Sequence, residues 1–442
     1  MDFNTPIVAG RKKSDVKEYG TKGAIFLGKK YHEIENKMVL GNPMYMDISG
    51  AHVVFICGKR GGGKSYTMGV VAEGFDLLDD NIKNGLSIIL LDTMGVYWTM
   101  KHPNDEIRRS VLEDYGLSPK GINVKIFTPV SFYHKYKKKG IPTDVPFSLS
   151  AADLDHDDWC VAFKIKKYSS HGILIGDTIS ALKNKEEKFN LDDIMDEIKD
   201  HDDSSGETKK AVISMFNLAK SWGVFSDDST HFLELAAPGQ ITVLDVSCYA
   251  TMPGGWDVKA LIVGLVAKHL FVQRMTYRKD EELNMLKKAD SLVENKIYKE
   301  EKFEDMPLVW LVIDEAHEFL PKDKEDINAA TMPLVTIMRE GRQPGISLIL
   351  ATQQPGKIHT DVMTQSDIFL SHRITAEIDV KALELLAQSY NRDGLQRAID
   401  FLPKENGTAV LFDDLNEQIH QIRIRPRVSW HGGSSPSALR KL

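Results

Sequence analysis

The sequence predicts an α/β fold organised on a largely parallel sheet, and three observations carry that expectation. Short continuous apolar runs recur along the 442 residues: Val53-Val54-Phe55-Ile56-Cys57, Ser87-Ile88-Ile89-Leu90-Leu91, Ile241-Thr242-Val243-Leu244 and Leu308-Val309-Trp310-Leu311-Val312-Ile313. Strands that are apolar on both faces need cover on both, which is the situation of a parallel sheet. Helical spacings separate the runs, with Met68, Val71, Phe75 and Leu78 after the first, and Val258, Leu261, Ile262, Leu265, Val266 and Leu270 before the last. Finally, the first run ends in a glycine-rich turn and the last in paired carboxylates, at the strand ends where α/β folds bind ligands.

The glycine-rich turn is Gly58-Lys59-Arg60-Gly61-Gly62-Gly63-Lys64-Ser65, a glycine, four residues, then Gly-Lys-Ser. That is P-loop spacing. A triphosphate needs several backbone N–H groups aimed at its oxygens, and glycines allow the close approach and positive φ that this requires. The expected nucleotide contacts are Gly58, Arg60, Gly61, Gly62, Gly63, Lys64, Ser65 and Tyr66, with Lys64 on the β/γ-phosphates and Ser65 on Mg²⁺. The helix that begins here adds its positive N-terminal dipole. A glycine-rich turn without a ligand is the competing reading; the strand before and the helix after argue against it.

The carboxylate pair is Asp314-Glu315, after the run ending at Ile313. Asp314 is the expected Mg²⁺ ligand, and Glu315 is placed to orient and deprotonate an attacking water. Gln353 ends the strand Ile346-Ser347-Leu348-Ile349-Leu350-Ala351-Thr352 and is positioned to sense the γ-phosphate. Arg339 and Arg342 are candidates for neutralising the transferring phosphoryl group, in ring ATPases at a neighbour's site. For either arginine alone, an ion-paired or solvated helix-end residue is an equal alternative. Asp92, followed by Gly95, reads either as part of the ligand edge or as a turn with no role.

Composition bounds the remaining choices. Hydrophobic residues at 42% and charged residues at 27% are ordinary globular values. Cys57, Cys160 and Cys248 lie too far apart for a metal or disulfide pattern, and no run approaches the roughly 18 apolar residues of a membrane span. A cytoplasmic setting is expected. Net charge is −7, so contact with DNA requires a local basic patch or an enclosed channel. The densest basic run, His134-Lys135-Tyr136-Lys137-Lys138-Lys139, is the first candidate and is expected on a loop; a merely solvated loop is the alternative. Arg423, Arg425 and Arg427 come next.

In chain order, residues 1–50 are expected to form an arm and a small β cap, with Gly41-Asn42-Pro43 turning between two short strands. Residues 51–148 hold the first part of the core and 149–235 a helical insertion, in which Asn190 is placed to cap a helix. Residues 236–428 form the second part of the core, with 280–304 an exposed helical excursion, and 429–442 are a flexible tail.

Ile313-Asp314-Glu315-Ala316-His317-Glu318-Phe319-Leu320-Pro321, Arg339-Glu340-Gly341-Arg342, Ala351-Thr352-Gln353-Gln354-Pro355 and the ending Ile424-Arg425-Pro426-Arg427 with Trp430-His431 resemble the HerA branch of the HerA/FtsK ATPase superfamily. The resemblance implies a RecA-like P-loop NTPase core, ATP and Mg²⁺, a homo-hexameric ring, and translocation or unwinding of double-stranded DNA. It also implies an effector partner, a nuclease or sirtuin-type NAD hydrolase, in DNA processing or antiphage defence. The rival expectation is an ATPase scaffold that gates such an effector. Two departures from the family pattern stand out: the N-terminal element is short, and Gly95-Val96 replaces the usual Gly-Glu.

Overall fold

The computed structural model describes residues 3–35, 37–105, 107–185, 188–293, 306–374, 397–399 and 401–433. Among the described residues, thirteen strands make one sheet: β1 (Ile7–Ala9), β2 (Ala24–Ile34), β3 (Lys37–Asp47), β4 (Val53–Cys57), β5 (Leu86–Asp92), β6 (Val124–Pro129), β7 (Val145–Phe147), β8 (Ile241–Asp245), β9 (Leu308–Ile313), β10 (Ile346–Thr352), β11 (Ile368–His372), β12 (Thr408–Asp413) and β13 (Gln418–Ile424). Their order is β1-β3-β2-β13-β12-β11-β4-β10-β9-β5-β8-β6-β7. From β11 to β7 every pairing is parallel; β11-β12-β13-β2-β3 are antiparallel. The expected α/β class with a largely parallel sheet is the observed one.

Both faces of the parallel half are covered. Ile89, Leu91, Leu311, Ile313, Leu348 and Leu350 face one core, shared with the long helix Gly255–Val293 and the helices between β7 and β8. Ile88, Leu90, Trp310, Val312 and Ile349 face the other, under the helix Lys64–Asp76. Successive residues point to opposite faces, so each apolar run fills two cores at once.

The segment between β7 and β8 is helical: His156–Ala162, Ser170–Asn184, Leu191–Asp200 and Gly206–Ser221. Asn190 caps the third of these as expected. Its Oδ1 accepts from Asp192 N (2.8 Å) and Asp193 N (3.1 Å), while the Asp193 carboxylate accepts from Asn190 N at 2.8 Å. This reciprocal box satisfies donors that the first turn leaves open.

Several expectations are corrected. Gly41-Asn42-Pro43 is no turn; it lies inside β3, which begins at Lys37 and pairs antiparallel with the β2 that ends at Ile34. The β2–β3 ladder is irregular where it passes this stretch, with register shifts around Gly28 and Lys29, and this makes room for Pro43 within a strand. The hairpin joins the main sheet through β13 and is not a separate cap. The basic run at 134–139 is not on a loop: it forms the end of the helix Val130–Lys138, where lysines complement the C-terminal dipole. Tyr133 is buried there, its hydroxyl donating to Asp144 O at 3.1 Å. The charged stretch from 280 continues the long helix to Val293, and 294–305 lie outside the described residues. Residues 427–429 are buried against the core, and 434–442 lie outside the described residues. Among the described residues no helix is long and apolar enough to cross a membrane.

Candidate functional site

β4, β10 and β9 are neighbours in register, with Thr352 opposite Cys57 and Leu350 opposite Ile313. That register brings the turn after β4, Asp314-Glu315 after β9 and Gln353 after β10 to one edge of the sheet. Residues separated by about 250 to 300 positions in the chain thus become one site.

The P-loop occupies residues 58–63, and its helix starts at Lys64. Gly61 has φ 73° and Gly63 φ 112°, conformations that a side chain would strain. Gly63 caps the helix with no side-chain hydrogen bond, so the N–H groups of the first turn stay available to an anion. Lys64 is buried, and its Nζ donates to Gly58 O at 3.1 Å, crossing the loop it would cradle. Arg60 and Gly61 are exposed at the tip.

Ser65 Oγ donates to Asp314 Oδ2 at 2.6 Å. A hydroxyl and a carboxylate converging beside the uncapped start of this helix form a hard-oxygen donor set that fits Mg²⁺ with a phosphate. Burial pushes the Asp314 carboxyl up, opposed by Ser65, Glu315 N–H and Lys64. Glu315 sits in the left-handed region at φ 51°, ψ 42°, which is costly for a residue with a Cβ. Its Oε2 is buried without a hydrogen-bond partner, and burial and then Asp314 raise its pKa. Gln353 hydrogen-bonds to this carboxyl and opposes the rise.

His317 and Gln354 complete this edge. His317 Nδ1 lies 2.9 Å from Thr352 Oγ1 and 3.6 Å from Glu315 Oε2, and Gln354 Nε2 donates to His317 Nε2 at 3.2 Å. The imidazole therefore sits between the end of β10 and Glu315. Asp92, whose part was open, builds a turn: its carboxylate accepts from Met94 N (3.2 Å), Gly95 N (2.7 Å) and Tyr97 N (2.9 Å). Burial and the neighbouring Asp245 push that carboxyl up to about 7.

Two supports beneath the P-loop carried no local sequence signal. His372, at the end of β11, lies under the loop so closely that a Cβ on Gly58 would sit 2.6 Å from its own Cβ. Its Nδ1 donates to Thr408 O at 3.0 Å, and its Nε2 accepts from Thr67 Oγ1 at 2.9 Å. Burial pulls its pKa down to about 4 from the ordinary 6.5. The folded state thus resists protonation, so this contribution to stability is complete above pH 6.5 and lost as pH falls toward 4. His372→Gln should flatten the stability–pH curve across that window by one proton, about 1.4 kcal/mol per pH unit. Denaturant titrations at stepped pH read this; an unchanged slope would mean that the buried imidazole is charged.

The second support is Glu73, in the P-loop helix and fully buried. Arg425 Nη1 donates to its Oε2 (2.8 Å) and Arg427 Nε to its Oε1 (3.1 Å). Val428 N, Ser429 N and Ser429 Oγ donate to the same carboxylate. Tyr66, an expected nucleotide contact, turns its hydroxyl to accept from Arg427 N at 2.6 Å. Arg425 and Arg427 are therefore removed from the candidates for DNA contact, both being completely buried, and Arg423 is paired with Glu405.

Arg339 and Arg342 do not join the site of their own chain. They precede β10, and Gln353 follows it; seven strand residues, about 23 Å, separate them. Arg339 Nε donates to Asp361 Oδ2 at 2.6 Å and Arg342 is exposed.

A sequence model of the helicase HerA central domain matches residues 42–264, half of the chain. The chain belongs to the HerA central-domain family. The probable DNA double-strand break repair helicase HerA of Methanocaldococcus jannaschii is 28% identical over 192 residues, 41% of this chain and 35% of that protein. The DNA double-strand break repair helicase HerA of Pyrococcus furiosus is 27% identical over 174 residues, 37% of this chain and 30% of that protein. The chain thus matches about a third of the length of these curated relatives. VirB4 of Thermoanaerobacter pseudethanolicus has the same fold, with a TM-score of 0.53 at 13% identity, over 92% of this chain and 97% of that one. In this HerA-family chain the family match contains the P-loop and ends before β9. Asp314, Glu315 and Gln353 join the site through the sheet register described above.

Proposed function

We propose that this chain is an ATP-hydrolysing motor that moves or unwinds double-stranded DNA as a homo-hexameric ring. The supporting observation is the convergence of Ser65, Asp314 and Glu315, whose Oε2 is unpartnered, beside an uncapped helix N-terminus. In this reading the backbone of residues 58–63 and Lys64 hold the β- and γ-phosphates. Ser65 and Asp314 hold Mg²⁺, which when bound would neutralise charge developing on the phosphates. Glu315 orients and deprotonates the attacking water, and Gln353, beside it, registers the γ-phosphate. Arg339 or Arg342 acts on a neighbour's nucleotide, in keeping with their place at the opposite edge of the sheet.

The test is ATP turnover by the full chain with and without linear duplex DNA, together with native mass. The expected result is several-fold stimulation and an assembly of six 49.7 kDa chains. Turnover indifferent to DNA would favour the scaffold. A nuclease or sirtuin-type effector and an antiphage role rest on the sequence resemblance alone, and co-purification of a second protein in fixed ratio tests them.

Lys135, Lys137, Lys138 and Lys139 remain the first candidates for DNA, exposed on the last turn of their helix and at its C-cap. Changing all four to Ala should weaken duplex binding irrespective of sequence. Every DNA phosphate deprived of its lysine should flatten log affinity against log salt by about 0.9. An unchanged slope in a correctly assembled ring would place the DNA elsewhere.

A further inference from the structure

At the sheet edge opposite the P-loop, a cleft of about 1060 Å³ opens between the N-terminal arm, the chain entering β4 and the turn entering β10. Its floor is built from paired ions. His52 is 8% exposed; its Nδ1 lies 2.6 Å from Asp367 Oδ2, and its Nε2 has no hydrogen-bond partner, the Asp47 carboxylate being 3.8 Å away. Arg11 Nη2 donates to the other oxygen of Asp47 at 2.6 Å. The two carboxylates of the floor are thus already matched by two buried cations.

The rim is different. Lys12, Lys22 and Arg342 line it, are exposed, and form no ion pair among the described residues. Arg339 lines it too, and its one carboxylate partner, Asp361, lies outside the cleft lining. Asp15 and Asp414 are the acids that remain beside the four cations. In a chain of net charge −7, such a concentration of positive charge marks an anion-receiving surface.

Rim and floor together define the ligand. A small free anion settling into the cleft would find the floor's cations already taken by Asp47 and Asp367. An anion presented from outside by another body would meet the cations alone. The phosphates at this chain's own P-loop are excluded by the length of β10, but a neighbouring copy can present its P-loop edge. We propose that Lys12 and Lys22 of the N-terminal arm complete, with Arg339 and Arg342, a cationic rim that receives the nucleotide phosphates held by a neighbouring copy of this chain. The inference rests on the ring ATPase reading and extends it to a segment more than 30 residues before the P-loop. The arm is pinned for this purpose: Arg11 Nη1 donates to Gly20 O at 2.9 Å, and Asn416 Nδ2 donates to Arg11 O at 2.9 Å.

The experiment uses the full chain carrying Lys12→Ala and Lys22→Ala. Affinity for a fluorescent ATP analogue should stay within about twofold, and native mass should be unchanged, while kcat falls about tenfold. Lys12→Arg with Lys22→Arg should restore most turnover. Mixing the alanine variant with Glu315→Gln subunits should regain activity, because some interfaces then pair an intact glutamate with an intact rim. A merely structural defect in the arm would not complement in this way. Parental turnover in the alanine variant, with the parent itself an ATPase ring, overturns the inference and leaves the ring reading standing. Stoichiometric ATP binding that survives Lys64→Ala and is lost with Lys12 and Lys22 would make the cleft a site for free nucleotide, which also overturns it. A parent that turns over fully as a single chain removes the ring reading and the inference together.

Discussion

Glu73→Ala should prevent the chain from accumulating as a folded protein, or lower its melting temperature by about 10 °C or more. The substitution leaves Arg425 and Arg427, both completely buried, without their shared counter-ion. Breaking one buried ion pair costs about 3–5 kcal/mol, and here two guanidiniums and three further donors lose one acceptor. Against a total stability of about 5–15 kcal/mol, that decides between folded and unfolded. Relaxation cannot easily rescue it. Arg427 packs so tightly on the helix that a Cβ on Gly69 would lie 2.6 Å from its Cζ. Although burial alone would raise the Glu73 pKa, the two arginines and Ser429 hold it below the ordinary value. Its contribution is therefore present above the unfolded-state pKa and lost as pH falls through the folded one. Removing all three charges, as Glu73→Leu with Arg425→Met and Arg427→Met, should recover part of the loss, since apolar substitutes leave no orphaned ion. Thermal melts of parent, single and triple variants make the comparison. A parental melting temperature in Glu73→Ala would mean that water reaches these arginines.

Glu315→Gln should keep ATP binding and lower hydrolysis by about 10²–10⁴-fold. The amide keeps the size of the side chain and the strained backbone at φ 51°, but cannot take a proton from water. Ser65, Asp314 and Lys64 are untouched, so nucleotide affinity should remain near parental, whereas Lys64→Ala should lose it. The pair separates binding from chemistry. Gln at 315 would also present an N–H group to Gln353 and His317, so melts should accompany the kinetics to show that the edge is still formed. Parental hydrolysis in Glu315→Gln would remove Glu315 from the catalytic step.

The chemistry-bearing motifs were legible because each is local. Residues 58–65 contain both the turn and the start of its helix. Asp314-Glu315 declares itself by following a buried strand, and Asn190 caps a helix within three residues of itself. Strand faces were legible as well, since a run apolar at every position has one use in an α/β fold. Local reading failed where a local rule was overridden. Gly41-Asn42-Pro43 has turn composition, yet pairing with β1 and β2 keeps it in a strand. The lysines at 135–139 look like a loop until the helix from Val130 is seen to carry them.

What the sequence by itself determined is therefore the buried parallel strands and the chemistry at their ends. The tertiary structure decided which ends meet. Arg425 alternates with Ile422 and Ile424 in a pattern that reads as a half-exposed strand edge, and only the approach of Glu73, 352 positions away, makes its burial possible. His372 is one polar residue closing an apolar strand, and Thr67, 305 positions earlier, gives it a place under the P-loop. Lys12 and Arg342 share a cleft because the arm and the turn before β10 return to the same sheet edge. Periodicity encodes which face of an element is buried. It carries no information about which distant charge lies across that face, because an ion pair is satisfied by geometry that the chain acquires only once the sheet has formed.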